Sequence, residues 1–235
     1  MATLAQGPAQ DRDLLAALGR HLLVPVVVID DARAADGLGD GLVAGGLPVA
    51  EVTFRTDVGV EALRRLAGRG DLLVGAGTVL TPAQVDQAAR AGAAFVVSPG
   101  FSPAVVERCR ERGVLPLPGA VTATEIQAAL EAGLSTVKFF PAESSGGAAA
   151  VGALTAPFGG LSVMPTGGIG PANLAQYLAL PAVHAVGGSW MVPRDRIGDA
   201  GAVATLAGAA VRLARSLRPA PPAAGHDPAG GAGAI

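Results

Sequence analysis

The chain has 235 residues, half of them apolar but only 3% aromatic, which allows one sizeable core built from Ala, Val, Leu and Ile. Its 17 basic and 19 acidic residues leave a formal net charge of −2 and form no basic block or stripe, which argues against nucleic acid as a partner. No apolar run reaches the ~18 residues of a membrane span, and residues 1–20 lack the basic head and apolar run of a signal peptide.

Taken in chain order, residues 11–19 predict an extra helix packed before the first strand. Short apolar runs then alternate with Ala-rich helical stretches, and strands are expected at 24–29, 49–54, 72–77, 94–98, 115–118, 136–140, 162–165 and 182–186. They read as continuous apolar runs without strict alternation, as in parallel strands covered on both faces. Thr81-Pro82 and Ser102-Pro103 each place a capping side chain before a proline suited to the first helical turn. Cys109, the only cysteine, falls in the helical stretch 105–112 as an ordinary helix residue, and a single thiol suits a reducing cytoplasm. Thr122 and Glu125 fit a capping box, and Gly170-Pro171 is expected to open a further helix. Gly92, Gly113 and Gly133 mark helix ends. His21, His184 and His226 are widely separated with no ligand spacing, so neither a metal site nor a cofactor is expected, and His184 reads as a packed core residue of the last strand. The tail 219–235, made of Pro, Gly and Ala with almost nothing to bury, is expected to be disordered, leaving 1–218 as one domain. Eight strands alternating with eight helices predict an α/β fold, a (β/α)8 TIM barrel. An open doubly wound sheet is the alternative, but no GxGxxG follows the first strand.

In such barrels the reactive groups sit at the C-terminal ends of the strands. Those positions carry Glu51, Thr53 and Arg55, then Thr78, Pro99, Lys138 and Phe140, then Thr166-Gly167-Gly168 and Gly187-Gly188-Ser189. Lys138 stands out, since the other 16 of the 17 basic residues are arginines. A lysine in an apolar run is costly to bury as the ammonium, and desolvation favours the neutral amine that condenses with carbonyls. The competing reading is a strand-end lysine that snorkels to the surface. Alternation places Glu51, Thr53 and Arg55 on one face of their strand, where Glu51 suits acid/base work with Arg55 or Lys138 as its cation. A structural Glu–Arg pair lining the barrel is the plainer alternative. The Gly-rich turns after strands 7 and 8 suit phosphate recognition by backbone N–H groups.

The segments EVTFRT (51–56), VGAGTVL (74–80), FVVSPGF (95–101), VKFFPAE (137–143), MPTGGIGPANL (164–174) and VGGSWMVP (186–193) resemble the 2-keto-3-deoxy-6-phosphogluconate (KDPG) and 4-hydroxy-2-oxoglutarate (KHG) aldolases, class I lyases. The resemblance spans roughly residues 14–215; Phe54 and Asp57 depart from it, away from the proposed chemistry. It implies a Schiff base on Lys138, with Glu51 as general acid/base. It also implies a pyruvoyl-carboxylate site at Arg55, Thr78 and Pro99, and Phe140 packed by the imine. Gly167, Gly168, Gly188 and Ser189 would hold a phosphate, with Thr166 beside them. It further implies a cytoplasmic homotrimer acting on a small keto-acid sugar phosphate without metal. The galactonate-derived isomer as substrate, a non-imine phosphate-binding isomerase and a non-catalytic sensor are the alternatives.

Overall fold

In the computed structural model, which describes residues 9–218, helix α1 (Ala9–His21) leads into eight consecutive β/α units. The strands are β1 (Leu23–Val27), β2 (Val49–Thr53), β3 (Leu73–Gly77), β4 (Phe95–Val97), β5 (Leu115–Leu117), β6 (Thr136–Phe139), β7 (Ser162–Pro165) and β8 (Val186–Gly188). The helices that follow them are α2 (Ala34–Ala44), α3 (Gly59–Gly68), α4 (Pro82–Arg90), α5 (Pro103–Glu111), α6 (Ala123–Glu131), α7 (Gly147–Thr155), α8 (Leu174–Leu178) and α9 (Ala200–Leu217), with a 3-10 turn at Glu143–Ser145 before α7.

Six strands form one parallel sheet in the order β5-β4-β3-β2-β1-β8, and β6 pairs in parallel with β7. Isolated bridges join the two sheets on both sides, Gly119 to Lys138 between β5 and β6, and Thr166 to Gly187 between β7 and β8. At the first junction the Lys138 N–H donates to Pro118 O and the Ala120 N–H to Lys138 O, both at 2.8 Å. The strands therefore close into a ring, the expected barrel rather than an open doubly wound sheet.

Every residue of β1 and β2 is buried, as a strand covered on both faces requires. With few aromatics, large and small residues must interlock. Phe95 lies where a Cβ on Gly75 would be, 2.2 Å from its ring. The helix starts follow their capping chemistry. Thr81 with Gln84, and Thr122 with Glu125, form reciprocal capping boxes, and the Ser102 hydroxyl accepts from the Val105 N–H. Gly92, Gly113 and Gly133 take φ of +92°, +65° and +76°, the left-handed turn that ends a helix at little cost only for glycine. Cys109 is fully buried on α5, and burial pushes its thiol up to about 12, leaving it unreactive at neutral pH.

Three expectations need correction. The last strand covers Val186–Gly188, not 182–186, and pairs with Leu23–Pro25. The two glycines read as a loop, yet the strand needs them. A Cβ on Gly187 would come within 2.2 Å of Thr166 Oγ1, and one on Gly188 within 1.7 Å of the Trp190 ring. His184 consequently lies outside the strand, where its Nε2 contacts Leu15 O and its ring packs on Gly19, fastening α1 to the barrel. Finally, α8 begins at Leu174 rather than at Pro171, because the intervening residues form turns. The expected loose tail 219–235 lies outside the described residues.

Candidate active site

Alternation along β6 sends Val137 and Phe139 to one face and Lys138 to the other, inside the ring. Lys138 is 4% exposed and Glu51, on β2, is 1% exposed. The Lys138 Nζ donates to Glu51 at 3.0 Å from Oε1 and 3.4 Å from Oε2. It also lies 5.1 Å from the centroid of the Phe140 ring, within cation–π range. The lysine does not snorkel, and the cation beside Glu51 is Lys138, not Arg55. A buried ion pair is a poor stabilising device, since desolvating two charges offsets most of their attraction. It is well suited to passing one proton between an amine and a carboxylate.

Gly77, opposite Thr53 on β3, makes room for this carboxylate. A Cβ there would come within 2.4 Å of Glu51 Oε1 and 2.7 Å of its Cγ. Gly77→Ala is therefore expected to displace the carboxylate and reduce turnover on the order of 10²-fold, the usual effect of a misplacement of about 1 Å. Steady-state kinetics checks this, with circular dichroism to show that the fold persists.

Arg55 lies just past the end of β2, exposed, and its Nε donates to Thr78 Oγ1 at 3.2 Å. Thr78 has φ +59°, a left-handed conformation that costs a β-branched residue about 1–3 kcal/mol. Strain of this kind persists where surrounding structure imposes it, and here it coincides with the hydroxyl's contact to Arg55. Among the described residues no carboxylate lies within ion-pair distance of Arg55, so its fork can take an outside carboxylate. Thr53 is different: its hydroxyl donates to Val27 O at 2.8 Å, tying β2 to β1. Pro99 is exposed on the turn after β4, where its carbonyl packs so closely on Gly119 that a Cβ there would approach it to 2.0 Å.

The turn after β7 is left-handed at two consecutive glycines. Gly167 and Gly168 have φ of +104° and +77°. The carbonyl of Thr166 accepts from the Ala142 N–H at 2.8 Å, that of Gly167 from the Glu143 N–H at 3.0 Å, and that of Gly168 from Asn173 Nδ2 at 3.1 Å. Among the described residues, the N–H groups of Gly167 and Gly168 have no protein acceptor. Adjacent unpaired N–H groups in a turn form an anion-binding concavity. With α8 only five residues long, any capacity for an anion here lies with these glycines and not with a helix start at Pro171. Thr166 is buried, its Oγ1 3.5 Å from Met164 O. Gly188 is buried on β8, and Ser189 follows it, exposed, at a cleft of about 480 Å³ that Arg55, Thr56, Trp190 and Arg194 also line.

Sequence reasoning missed Arg194, which forms a bidentate pair with Asp30 across the rim of this cleft. The two are 164 positions apart, and no local signal connects them. It also missed Asn173, whose distance from Gly170 is a recognisable capping interval. Its Oδ1 accepts from the Gly170 N–H at 2.8 Å.

The site thus holds a buried amine with a proton partner, an exposed guanidinium without a carboxylate partner among the described residues, and a glycine turn with unpaired N–H groups. The family model for KDPG and KHG aldolases matches residues 16–206. The chain belongs to the KDPG and KHG aldolase family. A 2-dehydro-3-deoxy-phosphogluconate aldolase of Treponema pallidum is 51% identical over 182 residues, 77% of this chain and 87% of that protein. The solved structure of a KDPG aldolase from Legionella pneumophila, with pyruvate captured at low pH as a covalent carbinolamine intermediate, superposes with a TM-score of 0.80 at 37% identity, covering 83% of this chain and 97% of that one. The 2-keto-3-deoxy-6-phosphogluconate aldolase of Zymomonas mobilis with 3-phosphoglycerate gives 0.83 at 37% identity, covering 90% and 100%. This aldolase is an enzyme of the lyase class, and among its described residues no helix is long and apolar enough to cross a membrane.

Proposed function

We propose that this aldolase cleaves 2-keto-3-deoxy-6-phosphogluconate to pyruvate and glyceraldehyde 3-phosphate through a Schiff base on Lys138, and accepts 4-hydroxy-2-oxoglutarate as a second substrate. The observation that carries the reading is the buried contact of Lys138 Nζ with Glu51 at 3.0 Å. Glu51 takes a proton from the ammonium, and the neutral amine adds to the C2 carbonyl. Glu51 then protonates the carbinolamine hydroxyl, which leaves as water and gives the iminium. As the carboxylate, it removes the C4 hydroxyl proton. The C3–C4 bond breaks, its electron pair passing into the iminium to give an enamine, and the aldehyde departs. Protonation of the enamine at C3 and addition of water to the resulting iminium release pyruvate and restore the amine.

Arg55 holds the pyruvoyl carboxylate, with Thr78 and the turn at Pro99 shaping its site, and Phe140 packs beside the imine carbon. The phosphate takes the N–H groups of Gly167 and Gly168 with Gly188 and Ser189. Arg55→Ala should raise KM for pyruvate about 10- to 100-fold, the value of a charge-assisted hydrogen-bonded pair, with partial recovery in Arg55→Lys, which keeps the charge and loses the fork. Kinship also supports a homotrimer acting in the cytoplasm, which light scattering and fractionation would check.

Incubation with pyruvate and borohydride should leave a reduced adduct, found by mass spectrometry on the peptide containing Lys138. Its absence would overturn the imine reading. The galactonate-derived isomer differs from the proposed substrate at one stereocentre, and comparing turnover on the three compounds decides among them.

A further inference from the structure

The turn that offers its N–H groups to an anion contains two adjacent glycines, Gly167 and Gly168. Glycine moves between backbone conformations at little cost, so nothing in the turn's own sequence prevents a peptide flip that would replace N–H groups with carbonyls. The carbonyl partners prevent it, and they come from two directions. From the segment after β6, the Glu143 N–H holds the Gly167 carbonyl, and Glu143 Cβ and Cγ pack where a Cβ on Gly168 would be, at 2.7 Å. From α8 and its cap, Asn173 bridges the turn, giving a hydrogen bond to Gly168 O and taking one from the Gly170 N–H. The two sides are joined by Tyr177 of α8, fully buried, whose hydroxyl donates to Glu143 Oε1. Burial first, and the Glu143 carboxylate beside it, raise the phenol's pKa, so it stays a donor across the working pH range.

We infer that Asn173, Tyr177 and Glu143 are positioning residues that hold the Gly167–Gly168 turn in the orientation presenting its N–H groups to the phosphate of the substrate. This rests on the reading that the turn is the phosphate cradle. None of the three side chains is needed to touch substrate. The brace acts only on the phosphate end, so the imine half-reaction with pyruvate, which leaves the cradle empty, is independent of it.

The test uses the full chain with Asn173→Ala, Asn173→Asp and Tyr177→Phe, and Ser189→Ala as a direct probe of the cradle. KM for 2-keto-3-deoxy-6-phosphogluconate and the inhibition constant of inorganic phosphate are measured alongside the rate of borohydride trapping with pyruvate. Asn173→Ala should raise KM and the phosphate inhibition constant by a few-fold to about tenfold, the usual consequence of losing the hydrogen bonds of a partly buried side chain, with trapping unchanged. Asn173→Asp, which keeps the acceptor for Gly170 but loses the donor to Gly168 and sets a negative charge beside the cradle, should raise both constants at least as much, and Tyr177→Phe should move in the same direction. Trapping that falls in parallel with the KM effect would reduce the three to general structural supports and overturn the inference. If Ser189→Ala weakens phosphate binding while the brace variants do not, the brace alone is wrong. If none of the four changes KM or phosphate inhibition, the cradle reading fails and takes the brace with it.

Discussion

Lys138→Ala should lower kcat by roughly 10⁴-fold or more, as loss of a covalent nucleophile does, and abolish the borohydride-trapped pyruvate adduct. The expectation follows from position as well as chemistry. Lys138 is the only lysine of the chain, so no second side-chain amine of this kind can replace it. Its Nζ is buried and held at 3.0 Å from Glu51, an orientation that an amine placed by diffusion would lack. Removing it leaves Glu51 buried without a cation, and breaking a buried pair costs about 3–5 kcal/mol. The variant should therefore unfold at lower denaturant concentration as well as lose activity. Lys138→Met combined with Glu51→Gln should recover much of the stability and none of the turnover. Denaturant titration beside trapping separates the two effects; an adduct that persists in Lys138→Ala would refute the assignment of the nucleophile.

Glu51→Gln is the second large effect expected, a fall in kcat of about 10²- to 10⁴-fold, the range for a positioned general acid/base. The amide preserves shape and an oxygen beside Nζ, so the barrel should stay folded. Proton exchange is what it removes, and three steps of the proposed cycle need it. Trapping with pyruvate should still occur, but slowly, because the amine survives while its proton partner does not. A variant that traps as fast as the parent and turns over normally would show that the carboxylate is only structural.

Much of this was legible in the sequence. The alternation of strands and helices, the capping boxes at Thr81 and Thr122, and the strand-end positions of Glu51 and Lys138 all follow from local chemistry. What local chemistry does not carry is which strand ends face each other. Glu51 and Lys138 are 87 positions apart, and the sequence leaves Arg55 and Lys138 equally open as the cation for Glu51. Only ring closure brings β6 opposite β2. The last strand was misplaced for a related reason. Gly187 and Gly188 have poor strand propensity, and they are accommodated because Thr166 and Trp190, from outside the strand, occupy the space their side chains would need. Asn173 escaped notice because its work is done on a backbone turn.

The amine and its carboxylate stand on opposite sides of one ring of strands, Lys138 on β6 and Glu51 on β2. Neither side of the ring holds a working half of the chemistry. A polypeptide arrested with either junction unzipped would keep most of its secondary structure and its helix signal yet make no product. Specific activity should therefore fall with incomplete closure of the ring even where the helix signal of the preparation is unchanged.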